Sequence, residues 1–372
     1  MAAARSIRPS AGERGAEMTS GLGWDGKLRH PSKMEQEEEE NGEATDEEDD
    51  EEEEEEPLRQ TRRGETQVVE GEGIDPDEDL LDGYEPDTTE IDLVHCRITS
   101  IPALRLERFP KTERLCLRQN QISTIEFPPE LATSVQELDL YDNLISHIKG
   151  LDDFTALTSL DLSFNKIKHI KRLSHLSRLT DLYFVQNRIS TIENLHHPHL
   201  KNLELGANRI RTIENLDNLP SLEQLWLGKN KIDRLQNLDR LPSLSLLSIQ
   251  SNRLTSLSGL SLPSLTELYI SHNAITDLAP LASLPNLRVL DISNNPVASL
   301  AGVAPLTKLE ELWASYCALE DFEEVARECK EMKELETVYF EGNPLQKRQP
   351  VLYRGKVRLA IPWVKQIDAS KC

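Results

Sequence analysis

The sequence is poor in aromatic residues and cysteine, and it contains no long apolar run. Only 5% of its 372 residues are Phe, Trp or Tyr. No stretch of about 18 apolar residues occurs, so no membrane-spanning helix is predicted. The first residues lack the apolar centre of a secretory signal. The 5 cysteines show no CxxC spacing, which argues against a disulfide framework and a zinc site.

Acidic charge is concentrated in the first quarter of the chain. Residues 1–90 hold 31 Asp and Glu against 9 Lys and Arg, whereas residues 91–372 hold 34 against 33. The nearly unbroken acidic run at 35–56 offers too little apolar surface to offset the entropy of ordering. We therefore predict a disordered acidic N-terminal tail over residues 1–86, either a solubilising tail or a regulatory arm. The bulk acidity also predicts that nucleic acid is not a partner.

An asparagine recurs every 21 to 23 residues through most of the remaining chain. The recurring positions are Asn120, Asn143, Asn165, Asn187, Asn208, Asn230, Asn252, Asn273 and Asn295, followed by Asn343 after a gap of 48. Cys317 divides this gap, and Cys96 lies 24 residues before Asn120, so twelve units are predicted. Each unit reads L-x-L-x-x-N-x-I-x-x-I, as in LDLSFNKIKHI at 160–170.

The repeating unit predicts a solenoid. Its alternating L-x-L is typical of a short strand with inward leucines, and its Asn is expected to bond the backbone of the following turn. One unit cannot bury its own apolar face, whereas stacked units can. We predict an α/β leucine-rich-repeat solenoid, a horseshoe of about twelve 22-residue repeats. Short parallel strands line its concave side, and 3₁₀ or helical turns lie on its convex side.

The ends of the solenoid need caps, because a terminal unit leaves its core exposed. We place the repeats at residues 87–345 and a C-terminal cap at 346–372. Helical spacing of apolar residues predicts a helix within 320–334. In the cap, the apolar residues that suit a helix and turn over the last core are Tyr353, Val357, Leu359, Ile361, Trp363, Val364 and Ile367.

Strand alternation also predicts which side chains face a partner. The residue between two inward leucines points out of the concave face, as do those two before and two after it. The central positions, named here the strand-centre row, are Cys116, Asp139, Asp161, Tyr183, Glu204, Trp226, Ser248, Tyr269, Asp291, Trp313 and Tyr339. Exposed aromatic residues among carboxylates are typical of a protein-binding surface that favours a basic partner. The alternative is that the rings only cover neighbouring strands.

The strand-centre row has little that catalysis requires. It contains no histidine and no nucleophile–base pair, and its pair Asp139 and Asp161 lies on an open face. His196, His197 and His199 cluster in a turn without a carboxylate or thiol partner, so we expect a solvated turn rather than a metal site. We predict that the chain is not an enzyme and uses no cofactor or metal.

Several segments resemble one family. LCLRQNQI, LDLYDNLI, LDLSFN and the ending YRGKV…IPWVKQIDA are similar to the leucine-rich-repeat regulatory subunit of protein phosphatase-1, the regulatory subunit 7 family, over about residues 87–370. The resemblance implies a non-catalytic subunit that binds the phosphatase-1 catalytic subunit through the concave face and controls its activity, maturation or targeting. It also implies a nuclear and cytoplasmic protein that acts in mitosis, is monomeric before binding, and admits a third regulatory protein.

The resemblance also carries over the family's phosphatase-binding residues. Position by position they fall on Asp161, Tyr183, Glu204, Trp226, Asp291, Glu311, Trp313 and Tyr339. Seven of them belong to the strand-centre row, and Glu311 lies two residues before Trp313 on the same face. The short linear motif of many phosphatase-1 regulators is not found, since KVRL at 356–359 lacks its aromatic residue. The alternative function is a leucine-rich-repeat adaptor in RNA-processing or cytoskeletal assemblies.

Overall fold

The computed structural model of the protein describes residues 80–371. Fourteen short strands form one sheet in which strand order follows chain order. The first twelve strands are β1 (Glu90–Asp92), β2 (Arg114–Cys116), β3 (Glu137–Asp139), β4 (Ser159–Asp161), β5 (Asp181–Tyr183), β6 (Asn202–Glu204), β7 (Gln224–Trp226), β8 (Leu246–Ser248), β9 (Glu267–Tyr269), β10 (Val289–Asp291), β11 (Glu311–Trp313) and β12 (Thr337–Tyr339). All twelve run parallel in unbroken register, which confirms the predicted repeat solenoid.

Leucine at the middle of each strand builds the core. Leu160 of β4 pairs with Leu138 on one side and Leu182 on the other, and all three are at most 2% exposed. The isoleucines that follow each asparagine, such as Ile167 and Ile170, are also fully buried. Removing each such side chain from water contributes about 1.5–3 kcal/mol to the stability of the folded chain. The result is one continuous apolar core that runs through every turn.

The recurring asparagines hold successive turns together. The Oδ1 of Asn187 accepts a hydrogen bond from the backbone N–H of Ile167 in the preceding turn, at 2.9 Å. Its Nδ2 donates to the carbonyls of Leu162 at 2.9 Å and Phe184 at 3.3 Å. The same pattern repeats along the stack and pairs backbone groups that no strand reaches. The predicted asparagine ladder is therefore present.

In one turn, Cys317 occupies the position that asparagine holds in most turns of the ladder. Its Sγ donates to the carbonyl of Ile292 at 3.3 Å, the acceptor that an asparagine Nδ2 would use. Burial raises the pKa of this thiol to about 11, so the side chain stays a neutral thiol near pH 7. Cys317 is therefore a structural variant of the ladder.

A second periodic position lies seven residues after the ladder asparagine. The backbone there is left-handed in six successive turns, at Gly150, Arg172, Asn194, Asn215, Asn237 and Gly259, and again at Gly302. At three of these positions an asparagine Nδ2 also donates to a carbonyl of the preceding turn at 2.7 Å. Glycine and asparagine tolerate this conformation better than other residues, which explains their use. This position is absent from the features predicted from the sequence, although the 21- to 22-residue spacing from Gly150 to Gly259 is visible there.

The convex side is less regular than expected. Its 3₁₀ turns are Pro102–Leu104, Leu106–Arg108, Pro129–Leu131 and Ala279–Ser283. The remaining described repeats use irregular turns, because a repeat of about 22 residues leaves few residues for a helix. Within residues 80–371, no helix is long and apolar enough to cross a membrane.

The C-terminal end closes the solenoid with three helices and a hairpin. These are α1 (Phe322–Glu328), α2 (Pro344–Lys347), α3 (Tyr353–Ala360), β13 (Gln366–Ile367) and β14 (Ser370–Lys371). Strand β13 adds parallel to β12, and β14 turns back antiparallel to β13. Asp368 takes the place of a backbone carbonyl of a further strand, since its Oδ1 accepts from the backbone N–H of Phe340 at 2.9 Å. Its Oδ2 accepts from Tyr353 Oη at 2.8 Å.

The helix predicted within 320–334 is present as the shorter α1, and Asp321 caps it by accepting from the N–H of Glu323 at 2.8 Å. One predicted cap contact is wrong. Leu359 is 81% exposed, because the residues of α3 that face the core are Tyr353 and Val357. At the other end, residues before 80, which include most of the predicted acidic tail, lie outside the described part of the chain. Leu81 is fully buried, and the Tyr84 ring packs edge-on against Phe109.

Replacing one ladder asparagine tests the role of the ladder. Asn187→Ala leaves the buried N–H of Ile167 and several carbonyls unpaired, so we expect the free energy of unfolding to fall by about 2–4 kcal/mol. Urea denaturation followed by circular dichroism measures the loss. The exposed control Lys168→Ala is expected to stay within about 0.5 kcal/mol of the wild type. Equal losses in the two variants would contradict the role of the ladder.

Replacing either of two glycines by alanine is expected to change the stability of the protein, in opposite directions at the two positions. Gly150 has φ +81° and an added Cβ would collide with the carbonyl oxygen of Ile125, so Gly150→Ala is expected to cost about 2 kcal/mol or more. Gly355 lies in α3 with nothing within 4 Å of an added Cβ, so Gly355→Ala is expected to stabilise by about 0.5–1 kcal/mol. Differential scanning calorimetry reports both shifts. Shifts of the same sign would contradict this account.

Candidate protein-binding face

The strand-centre row occupies the outward face of the sheet. Each of its members is the last residue of a three-residue strand and follows a buried strand residue, so the pleat turns it away from the core. The eight predicted site residues fall on β4, β5, β6, β7, β10, β11 and β12 of this one face. The structure therefore brings all eight to one surface. Their role in binding stays a prediction.

Aromatic rings cluster at the C-terminal half of the row. The Trp313 ring makes edge-to-face contacts with Tyr269, at 6.1 Å between centroids, and with Tyr339, at 5.8 Å. Trp313 Nε1 donates to Glu311 Oε2 at 3.0 Å, and Tyr269 Oη donates to Glu267 Oε2 at 2.8 Å. Pairs of this geometry contribute about 0.5–1.5 kcal/mol beyond their buried area. The rings are thus held in place before any partner arrives.

The degree of burial separates these aromatic residues into two roles. Tyr269 is only 6% exposed, so its ring mainly covers neighbouring strands, as in the alternative considered from the sequence. Trp226, Trp313 and Tyr339 are half-buried and keep ring surface available to a partner. A half-buried aromatic side chain with fixed orientation is the kind of residue that anchors protein interfaces.

Asp291 lies between the rings of Tyr269 and Trp313, since β10 separates β9 from β11 and the two rings contact each other. Its carboxylate accepts from the backbone N–H of Ser293 at 2.9 Å, and the side chain is 2% exposed. Burial raises the pKa of this carboxyl, although hydrogen bonds from Ser271 and Ser293 oppose the shift. In this structure Asp291 supports the turn and the rings above it.

Carboxylates dominate the N-terminal half of the row. Burial raises the pKa of Glu204 to about 7, and the charge of Asp161 adds to the shift. Burial also raises the pKa of Asp139 to about 6, with Asp161 again adding, even though Arg118 lies 3.2 Å from Asp139. Burial likewise raises the pKa of Asp161. Arg118 offsets part of the charge of Asp139 and Asp161, whereas Glu204 is only 8% exposed and its raised pKa reflects burial and the charge of Asp161. A basic surface laid against this end of the row would therefore be attracted.

Two further residues at this end extend the face beyond the row. The Arg118 guanidinium lies 4.2 Å from the centre of the Tyr141 ring, and Tyr141 in turn packs against Phe164 at 4.7 Å. Arg118 and Tyr141 each lie two residues after a member of the row. Strand alternation turns the side chain at this position outward as well. The alternation predicted from the sequence covers these two side chains, but neither is among the predicted site residues.

The histidine cluster is not a solvated turn throughout. His197 is fully buried, and its Nε2 lies 2.9 Å from the carbonyl of Leu173. His175, one turn earlier, makes the same bond to the carbonyl of Leu151 at 2.8 Å. Burial lowers the pKa of His197, so it is neutral near pH 7. The expectation was wrong for His197, because the 22-residue spacing of the two histidines places both rings against the turn before.

His196 and His199 are exposed, as expected of a turn. In the described part of the chain, no group of three or more His, Cys, Asp and Glu side chains is arranged to hold a metal ion.

Comparisons with known proteins fit the repeat architecture. The family described as "Leucine Rich repeats (2 copies)" matches residues 198–240, 242–278 and 263–306, and "Leucine Rich repeat" matches residues 155–168. Among solved structures, an internalin from Listeria monocytogenes superposes with a TM-score of 0.61, covering 80% of this chain and 95% of that chain at 21% identity. At this identity the likeness shows the fold alone.

Curated relatives are more specific. Protein phosphatase 1 regulatory subunit SDS22 of Schizosaccharomyces pombe is 60% identical over 314 residues, which are 82% of this chain and 93% of the relative. The protein of the same name in Saccharomyces cerevisiae is 43% identical over 89 residues, which are 23% of this chain and 26% of the relative. The relatives are named as regulatory subunits, so the chain is a non-catalytic leucine-rich-repeat protein. It belongs to the family of protein phosphatase 1 regulatory subunit SDS22.

Proposed function

We propose that the chain binds the catalytic subunit of protein phosphatase 1 through its concave face, at the eight predicted site residues, and thereby controls the activity, maturation or targeting of that enzyme. The observation that carries the proposal is the arrangement of half-buried aromatic anchors and undercompensated carboxylates on one face. The name of the Schizosaccharomyces pombe relative supports the identity of the partner.

The two halves of the face support different parts of this interaction. Trp313 and Tyr339 offer a rigid aromatic surface that loses little conformational entropy on binding. Asp161 and Glu204 lie on β4 and β6 and supply negative charge, which selects a partner with a basic patch and speeds encounter. Tyr183 lies on β5 between them, and Asn202 Nδ2 donates to its hydroxyl at 3.2 Å. An interface of this kind requires no linear motif.

We also propose a setting for this function. The chain acts as a monomer before it meets the phosphatase, in the nucleus and the cytoplasm, and a third regulatory protein joins the complex. Support for a reducing compartment comes from Cys116, Cys317 and Cys329, which are thiols and not disulfides in the described part of the chain. Light scattering of the purified chain tests the monomer, and imaging of a tagged chain through the cell cycle tests the location and the mitotic role.

Removal of the aromatic anchors tests the proposed interface. Trp226→Ala/Trp313→Ala in the full chain is expected to weaken binding to the purified phosphatase 1 catalytic subunit by about 2–4 kcal/mol, or about 30- to 1,000-fold. Isothermal titration calorimetry measures the affinity. The matched control Leu359→Ala removes an 81% exposed apolar side chain on the cap and is expected to change the affinity less than about twofold.

Circular dichroism spectra of the double variant are expected to match those of the wild type, because both rings are only half-buried. Unchanged affinity in a folded double variant would refute the interface. If phosphatase 1 does not bind the wild-type chain and an RNA-processing or cytoskeletal assembly does, the adaptor function replaces the proposal.

The raised pKa of Glu204 predicts a pH dependence of binding. A basic partner favours the charged carboxylate and lowers its pKa in the complex, so affinity is expected to rise as pH increases from about 6 to 8, by up to about tenfold per unit below the free pKa of about 7. Glu204→Gln removes the titrating carboxyl, so the dependence of affinity on pH is expected to become weaker. The exposed control Glu130→Gln, outside the row, is expected to keep the wild-type slope. Parallel profiles for wild type and Glu204→Gln would contradict the account.

A further inference from the structure

A row of basic side chains follows the asparagine ladder through five consecutive turns. The position directly after the ladder asparagine is basic in these turns, at Lys166, Arg188, Arg209, Lys231 and Arg253, which together are named the basic row. In the other turns with a ladder asparagine, this position holds Gln121, Leu144, Ala274, Pro296 and Pro344. The basic residues are thus confined to one continuous stretch of the solenoid edge.

Backbone hydrogen bonds align the basic row from turn to turn. The N–H of Arg188 donates to the carbonyl of Ile167 at 2.9 Å, and the N–H of Arg209 donates to the carbonyl of Ile189 at 2.8 Å. The other three members make the corresponding bond at 2.8 Å. Each basic residue therefore lies directly beside the next, at about the 4.8 Å spacing of neighbouring strands.

The charges of the basic row are available to a partner. Lys231 is half-buried and the other four members are exposed. Among residues 80–371, none of the five side chains forms an ion pair, whereas Arg172, Lys201 and Arg240 on other parts of the solenoid do. Parallel cationic side chains about 5 Å apart repel each other, and a bound anion relieves this repulsion.

An open groove of about 470 Å³ runs beside the first three members of the row. Lys166, Arg188 and Arg209 form part of its lining, together with Phe164 and Gln186. Asp142 also belongs to the lining, one turn before Lys166. The groove has room for an extended peptide.

We propose that the basic row and this groove form a docking site for a short, extended, Asp- and Glu-rich segment of a partner protein. Four steps of about 4.8 Å give the row a length of about 19 Å, which about six extended residues cover. About three carboxylates of such a segment face the row, within reach of flexible Lys and Arg side chains. The site lies on the ladder edge of the solenoid, apart from the strand-centre row.

The structure favours an acidic peptide over a nucleic acid. Sequence-independent binding of single strands depends on aromatic platforms for the bases, and Phe164 is the only aromatic residue in the groove lining, with its ring already packed on Tyr141. A short acidic segment experiences mainly the local field of the row, since charges beyond about 10 Å are screened.

Fluorescence anisotropy with the full chain and a fluorescein-labelled peptide of about twelve glutamates tests the site, at about 150 mM salt so that distant charges are screened. The wild type is expected to bind, and Lys166→Glu/Arg188→Glu/Arg209→Glu is expected to bind at least about tenfold more weakly. If the wild type fails to bind, or the triple variant binds equally well, the proposal is overturned.

A matched control separates the site from net charge. Lys111→Glu/Lys330→Glu/Arg358→Glu changes three exposed residues outside the row by the same total charge, and it is expected to bind within about twofold of the wild type. An equal loss of affinity in this control variant would overturn the proposed site. Should charge reversal unfold the chain, Lys166→Gln/Arg188→Gln/Arg209→Gln takes its place and is also expected to weaken binding.

A second probe decides between partner classes. A labelled single-stranded oligouridylate of the same length is expected to bind the wild type more weakly than the glutamate peptide. Tighter binding of the oligouridylate would replace the proposed protein partner with a nucleic acid. Calorimetry with the phosphatase 1 catalytic subunit, run on the same triple variant, shows whether docking at the row is separate from the strand-centre face.

Discussion

The side-chain amide of the ladder asparagine is the interaction on which the rest of the structure depends. A chain that leaves a three-residue strand and turns back under its own leucines must bury backbone N–H and C=O groups that no neighbouring strand can pair. Asn187 pairs one such N–H and two or more carbonyls with a single side chain. Without it, burial of Leu182 and Ile189 would carry the cost of unpaired polar groups, which is comparable to the gain from burying the leucine.

Because the ladder and the leucines define the backbone, the outward positions of the strands are free to vary. Aromatic residues and carboxylates occupy these positions, and the carboxylates oppose folding. Glu204 and Asp139 bind protons more tightly in the folded chain than in the unfolded chain, so their ionisation reduces stability as pH rises from about 4.5 towards 7. A cationic partner removes this penalty. The same carboxyls that make the free solenoid less stable near neutral pH would therefore favour binding of a cationic partner.

Much of this architecture is readable from the sequence, because a 22-residue spacing repeats each signal many times. The strands, the ladder and the outward face follow from the L-x-L-x-x-N pattern alone. What the sequence hides are features that depend on contacts between turns. The burial of His197 arises from a carbonyl one turn earlier, and the small exposed area of Asp291 arises from two rings on flanking strands. Leu359 is outward because α3 is anchored through Tyr353 and Val357, which helical spacing alone does not decide. The binding role of the face depends on the chemistry of a partner, which neither the sequence pattern nor the packing of this chain specifies.

The final hairpin has a consequence for assembly. A stack of parallel strands ends in an open strand edge, and that edge is a template on which the first turn of another molecule could stack, head to tail, without limit. Strand β14 reverses direction against β13, and Asp368 uses its carboxylate on the backbone N–H groups of Phe340 and Glu341. A further turn in register would need the open edge of β12 and these N–H groups, and β13 and Asp368 already occupy them. The few residues that complete the core thus also cover the strand edge on which a further turn would stack.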